Sequence, residues 1–100
     1  AYRAVVLADT DFCPSRAVDR NSPCTSCHAK PCITACPAGA MDSGSFALEK
    51  CIAYRKRDDS ECQHTCLARI ACPVGSEHRY DDDQMQHAYS ISLQMIREQF

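Results

Sequence analysis

Eight of the nine cysteines in this chain fall into two spaced runs, and each run ends in Cys-Pro. The runs read Cys24-x2-Cys27-x4-Cys32-x3-Cys36-Pro37 and Cys51-x10-Cys62-x3-Cys66-x5-Cys72-Pro73. Four thiolates hold one four-iron cluster, so eight are the number required for two such clusters. The cysteine pattern therefore predicts an iron-sulfur protein that transfers electrons.

The rest of the composition offers little apolar material for a core. Phe, Ile, Leu and Val make up 16 of the 100 residues, and the chain has no Trp. A single small domain of this kind needs covalent or metal cross-links to be stable. The formal net charge of -2 gives no electrostatic basis for binding nucleic acid. The apolar stretch 4–8 is too short to span a membrane.

Two segments have the features of β-structure. Residues 4–8 read Ala-Val-Val-Leu-Ala, a short apolar run rich in β-branched side chains that predicts a buried strand. Residues 9–23 are polar and contain prolines, so we expect them to wrap the domain irregularly. Residues 40–48 predict a small hairpin that turns at Gly44.

Four segments favour helices. The segments 33–36 and 63–71 predict short helices that end at Pro37 and Pro73, because proline cannot continue a helix. Residues 51–57 predict one helical turn or more. In the tail, acidic residues 81–83 are followed by apolar side chains at helical spacing, which predicts an amphipathic helix of roughly 18 residues.

The motifs resemble those of a known family, the bacterial two-cluster [4Fe-4S] ferredoxins, in its variants with an expanded second motif. CPAGAM at 36–41 is similar to the family's CP-x-GA-I segment. The resemblance implies an α+β, ferredoxin-like two-cluster fold with an added C-terminal amphipathic helix. Residues 1–21 would form an N-terminal strand and wrapping segment, 22–76 the 2[4Fe-4S] domain and 77–100 the helix.

The resemblance also implies which cysteines bind each cluster. In two-cluster ferredoxins, the fourth cysteine of each run ligates the cluster of the other run. Carried over to this chain, the ligand sets are Cys24, Cys27, Cys32 and Cys72 for the first cluster, and Cys36, Cys51, Cys62 and Cys66 for the second. Two steps are wider than the family's usual ones. Four residues separate Cys32 from the preceding cysteine and five separate Cys72 from the one before it. Both cysteines belong to the first set.

The expected cofactors are two [4Fe-4S] clusters. The expected function is electron transfer, either as a carrier or as an electron-delivering subunit, and we expect no catalytic residues in this chain. The partner would be a redox protein or a fused oxidoreductase domain. One alternative is an electron-transfer domain cut from a larger oxidoreductase, for example a cobalamin-dependent one. The segment EKCIAYRK at 49–56 is similar to the iron-sulfur half of epoxyqueuosine reductases, in which that half feeds electrons to a cobalamin domain. Another is a structural zinc module. Iron-sulfur chemistry favours a reducing, cytoplasmic setting.

Several other residues have two interpretations each. Cys13 is either a free thiol or a substitute for Cys24 or Cys32. His28 and His64 either shape their ligand loops or donate a hydrogen bond to cluster sulfur. The charged segment 55–61 is either a solvated loop or a docking patch for a redox partner. The tail helix is expected either to pack on the domain or to dock a subunit.

Overall fold

Four α-helices and two short 3₁₀ turns account for the regular structure of the described residues. The computed structural model describes residues 4–17 and 20–100, so predictions that fall on residues 1–3 and 18–19 lie outside the described part. The helices are α1 (Pro31–Thr34), α2 (Leu48–Arg55), α3 (Leu67–Ala71) and α4 (Asp82–Gln99), and the 3₁₀ turns are Pro23–Thr25 and Ser76–His78.

The prediction of an α+β, ferredoxin-like fold is wrong. Residues 4–17 and 20–100 contain no strand, so this part of the chain is helical and irregular. The predicted strand 4–8 has no regular structure and lies on the surface, where Val5 is 91% and Leu7 95% exposed. A strand needs a neighbouring backbone to pair with, and no described segment supplies one. The apolar run alone did not reveal that missing partner.

The predicted hairpin at 40–48 is also wrong. The segment instead follows successive turns, with backbone bonds from Gly44 N–H to the Met41 carbonyl at 3.1 Å and from Ala47 N–H to the Ala40 carbonyl at 2.7 Å. Gly39 and Gly44 both have positive φ, at 57° and 83°. Two left-handed residues in six curl the chain instead of extending it. The loop buries Ala40, which is 1% exposed, and leads directly into α2.

Helices α1 and α3 pack against each other at the centre of the cysteine-rich region. Both are present close to their predicted positions. α1 begins at Pro31, two residues earlier than predicted, and α3 begins at Leu67, four residues later. Proline suits the first position of α1 because that position has no intrahelical use for an N–H. α3 ends at Ala71, before the Cys72-Pro73 pair.

The tail forms the helix that the acidic start and apolar spacing predict. α4 runs for 18 residues. Its first turn is closed by a capping box, in which the Asp81 carboxylate accepts from Gln84 N–H at 2.8 Å and the Gln84 side chain accepts from Asp81 N–H at 3.2 Å. Met85, Leu93 and Ile96 form the buried face of the helix.

A buried arginine connects α4 to the rest of the chain. The guanidinium of Arg55, at the end of α2, donates to the carbonyl oxygens of Cys62, Gln63 and Tyr89 and to the hydroxyl of Ser92. The four distances lie between 3.0 and 3.3 Å. One side chain therefore joins α2, the 62–63 loop and α4. None of the helices described is long and apolar enough to cross a membrane.

Candidate functional site

One cavity lined by four cysteines has a volume of about 450 Å³. Its cysteine side chains are those of Cys24, Cys27, Cys32 and Cys72. Three of them come from the first run in the sequence, whereas Cys72 closes the second run about forty residues later. We refer to this cavity as site 1. Its four thiols are the set that the resemblance implies for the first cluster.

The second cavity, site 2, has a volume of about 220 Å³. It is lined by Cys36, Cys51, Cys62 and Cys66, which are the remaining four cysteines of the two runs. Cys36 comes from the first run and the other three from the second. The fold thus brings the eight cysteines together as two groups of four, and each group takes its members from both runs.

The helix pair α1 and α3 explains this exchange between runs. Cys32 lies in α1 and lines site 1, while Cys36 follows the helix and lines site 2. Cys66 precedes α3 and lines site 2, while Cys72 follows the helix and lines site 1. α1 therefore runs from site 1 to site 2, and α3 returns in the opposite direction. Each helix supplies one cysteine to each site.

The space between the thiols suits a group of several atoms. No three His, Cys, Asp or Glu side chains within the described ranges converge closely enough to hold a single metal ion. In each site, four thiols instead surround a cavity, and a volume of 220 Å³ corresponds to about seven water molecules at 30 Å³ each. Most other side chains lining site 1 are apolar, among them Ile33, Met41, Phe46 and Val74. Four thiols around an apolar cavity fit the requirements of an iron-sulfur cluster.

The two sites differ in size and exposure. Site 1 contains both of the widened steps in the cysteine pattern and is about twice as large as site 2. Cys24 of site 1 is exposed, whereas Cys62 of site 2 is buried. The longer loops of site 1 accordingly leave it more open to solvent.

The environment of site 2 acts on its thiols. Burial raises the pKa of the Cys51 thiol, and the nearby Arg55 charge opposes this by lowering it. Burial also raises the pKa of the Cys62 thiol, and the Leu67 backbone N–H opposes this by lowering it. A buried thiol is kept neutral until a positive charge or a metal stabilises the thiolate. A positive charge and a backbone donor are both present here.

Tyr89 extends from α4 into site 2. Burial raises its pKa to about 12, and the neighbouring Cys66 thiol acts in the same direction. The Arg55 guanidinium lies over the Tyr89 ring, 5.0 Å from the centroid, and that of Arg69 lies 6.0 Å away. These cation–π contacts fix the ring against the cavity wall. α4 therefore forms part of site 2, which the ferredoxin resemblance did not cover.

The remaining candidate residues lie away from the cavities. Cys13 is exposed and lines neither site, and all nine cysteines are free of disulfide bonds. His28 is exposed at the surface. His64 Nδ1 lies 2.9 Å from the Ser90 hydroxyl, so this ring contacts α4.

The charged segment 55–61 divides into a buried and an exposed part. Arg55 is 6% exposed and cannot belong to a surface docking patch. Arg57 is exposed and pairs with Asp59 at 2.6 Å. Sequence reasoning missed the position of Arg55, although a signal was present: Arg55 follows Cys51 by four residues, so both side chains lie on one face of α2. No local signal pointed to Tyr89, which is 23 residues beyond Cys66.

Comparisons with known protein families, curated proteins and solved structures found no significant match to this chain.

Proposed function

We propose that this chain is an electron-transfer protein that binds one [4Fe-4S] cluster in each cysteine-lined cavity. The observation that carries the proposal is the grouping of the cysteines: four thiols surround site 1 and the other four surround site 2. A four-iron cluster takes four cysteine thiolates. When bound, such clusters accept and release single electrons.

The chain's own residues would provide three things for these clusters. Cys24, Cys27, Cys32 and Cys72 would hold the cluster in site 1, and Cys36, Cys51, Cys62 and Cys66 the cluster in site 2. The apolar side chains in the walls of both cavities would lower the local dielectric constant around the clusters. The Leu67 backbone N–H, which lowers the pKa of the Cys62 thiol, would stabilise negative charge on that ligand.

The partner is proposed to be another redox protein or an oxidoreductase domain. The groups lining the two cavities are mainly thiols and apolar side chains, which suit the holding of a cluster. We therefore assign the chain the role of a carrier or an electron-delivering subunit.

Metal and sulfide analysis tests the proposal most directly. The protein is purified and reconstituted without oxygen, and iron, acid-labile sulfide and zinc are measured per chain. Two four-iron clusters require about eight iron and about eight sulfide. The loaded protein should be brown, with broad absorption at about 400 nm. It should take up about two electrons per chain and release them reversibly, one for each cluster. A colourless protein that contains zinc and no iron would contradict the proposal.

The Cys13→Ser variant is the matched control for these measurements. Cys13 is exposed and lies outside both sites, so its removal should leave the iron content and the number of electrons unchanged. Cys51→Ser removes a thiol from site 2 and should reduce the iron content by about half.

A further inference from the structure

Site 2 contains a buried positive charge that site 1 lacks. Arg55 lines site 2 and is 6% exposed. It follows Cys51 by four residues along α2, so the helix directs both side chains to the same cavity. The cation lining site 1 is Lys30, which is exposed.

The charge of Arg55 is not neutralised by its hydrogen-bond partners. The guanidinium donates to three backbone carbonyl oxygens and to the Ser92 hydroxyl, all of which are uncharged. Among the described residues, no carboxylate is paired with it. A guanidinium keeps its charge at any pH a protein meets. Site 2 therefore has a permanent positive charge held in a fixed position.

Building on the proposed function, we infer that Arg55 gives the cluster of site 2 the higher reduction potential of the two, so that the first electron taken up by the protein resides there. Reduction adds negative charge to a cluster. A nearby fixed cation stabilises the reduced form more than the oxidised form, and this raises the potential.

Burial decides which cations have this effect. Coulomb energy grows as the effective dielectric constant falls, and water and salt screen exposed charges efficiently. Lys30 at site 1 and Arg69 at site 2 are both exposed and are therefore screened. Arg55 is buried among α2, α4 and the 62–63 loop and is screened much less. Arg55 would act on the reduction potential through its fixed positive charge, without ligating the cluster.

The test is a redox titration of the fully loaded protein, followed by EPR spectroscopy. The wild-type chain should give two separable midpoint potentials. Cys51→Ser, which damages site 2, should remove the signal of higher potential. Cys24→Ser, which damages site 1, should remove the signal of lower potential. The reverse assignment, or two indistinguishable potentials in the wild type, would overturn the inference while leaving two-cluster electron transfer intact. An iron-free protein would overturn the proposed function itself.

Charge variants at position 55 separate an electrostatic role from a structural one. Arg55→Gln should move the higher potential downward, whereas Arg55→Lys, which keeps the charge, should retain most of the wild-type value. The controls Arg69→Gln and Lys30→Gln remove exposed charges and should shift either potential less than Arg55→Gln does. Equal downward shifts in Arg55→Gln and Arg55→Lys would show that packing and not charge sets the potential. If Arg55→Gln fails to load, the two cysteine variants still decide the order of the potentials.

Discussion

Cys66 and Cys72 lie at the two ends of the five-residue helix α3, and their thiols line different cavities. A cysteine therefore shares a site with residues that are distant in sequence. For the Cys72→Ser variant we expect loss of the proposed site 1 cluster, which Cys72 would hold with Cys24, Cys27 and Cys32. The neighbouring Cys66 should continue to hold the other one.

Iron analysis and EPR of the reduced variant check this expectation. About half the iron should be lost, and one of two overlapping signals should disappear. A variant that loses the signal also lost in Cys51→Ser would show that Cys72 belongs to site 2. Cys13→Ser provides the control, since its thiol lines neither cavity.

Arg55 should also be important for stability. Arg55→Met leaves the Cys62, Gln63 and Tyr89 carbonyl oxygens without their donor in a poorly hydrated place. We expect the free energy of unfolding to fall by about 2–4 kcal/mol. At about 4–8 °C per kcal/mol, the apparent Tm followed by circular dichroism should fall by about 8 °C or more. Lys56→Met, at the exposed neighbouring position, should change the Tm little.

The Asp81 cap should stabilise α4 measurably. Asp81→Ala removes the acceptor for Gln84 N–H and should cost about 1 kcal/mol. Hydrogen exchange of the Gln84 amide should become faster, and the Tm should fall by a few degrees. Asp81→Asn is the matched control, because asparagine caps helices about as well as aspartate. Equal losses in both variants would mean that the negative charge, and not the cap, is responsible.

Tyr89 should titrate unusually late. Since its pKa is raised to about 12, the phenol should still be protonated near pH 10, where an ordinary tyrosine is half ionised. The folded pKa lies above the unfolded one, so the resulting stability is present below about pH 10 and is lost as the pH rises toward 12. NMR of ¹³C-labelled tyrosine should show a resonance, absent from Tyr89→Phe, that does not shift up to pH 10. The stability advantage of wild type over Tyr89→Phe should shrink above that pH.

Removing the proposed clusters should unfold much of the chain. The buried apolar residues of the described part are few, namely Ala40, Cys62, Ala68, Met85, Leu93 and Ile96. Ligation free energy is folding free energy in so small a core. Chelation of iron under reducing conditions should therefore lower the helical signal at 222 nm, and reconstitution should restore it. An unchanged spectrum after complete iron removal would show that the core folds without its clusters.

The cysteine spacing predicted more of this structure than the apolar pattern did. Each Cys-Pro pair correctly indicated that a short helix ends nearby, and α4 follows from its acidic start and its apolar spacing. The strand at 4–8 was wrong because strand formation depends on a partner backbone, which a local pattern does not contain. The hairpin at 40–48 was wrong because the positive φ of Gly39 adds a second reversal before Gly44.

Some residues of the candidate sites could be predicted from local sequence, whereas others depend on contacts between distant parts of the chain. The eight thiols are recognisable by their order along the chain, and their two groups follow from the antiparallel arrangement of α1 and α3. Tyr89 reaches site 2 because Arg55 fixes α4 against the 62–63 loop. That contact joins residues more than thirty positions apart, so no window of sequence could have predicted it.

The short length of α1 has a consequence for kinetics. Cys32 and Cys36 serve different cavities, yet they are four residues apart, which corresponds to a rise of about 6 Å along a helix. Tunnelling rates fall exponentially with distance, so two clusters whose ligands lie this close in the chain would be expected to exchange electrons rapidly. With both sites loaded, the rate of electron transfer through the chain would then be limited by encounters with partner proteins at its surface. Electron exchange between the two sites would not be the slow step.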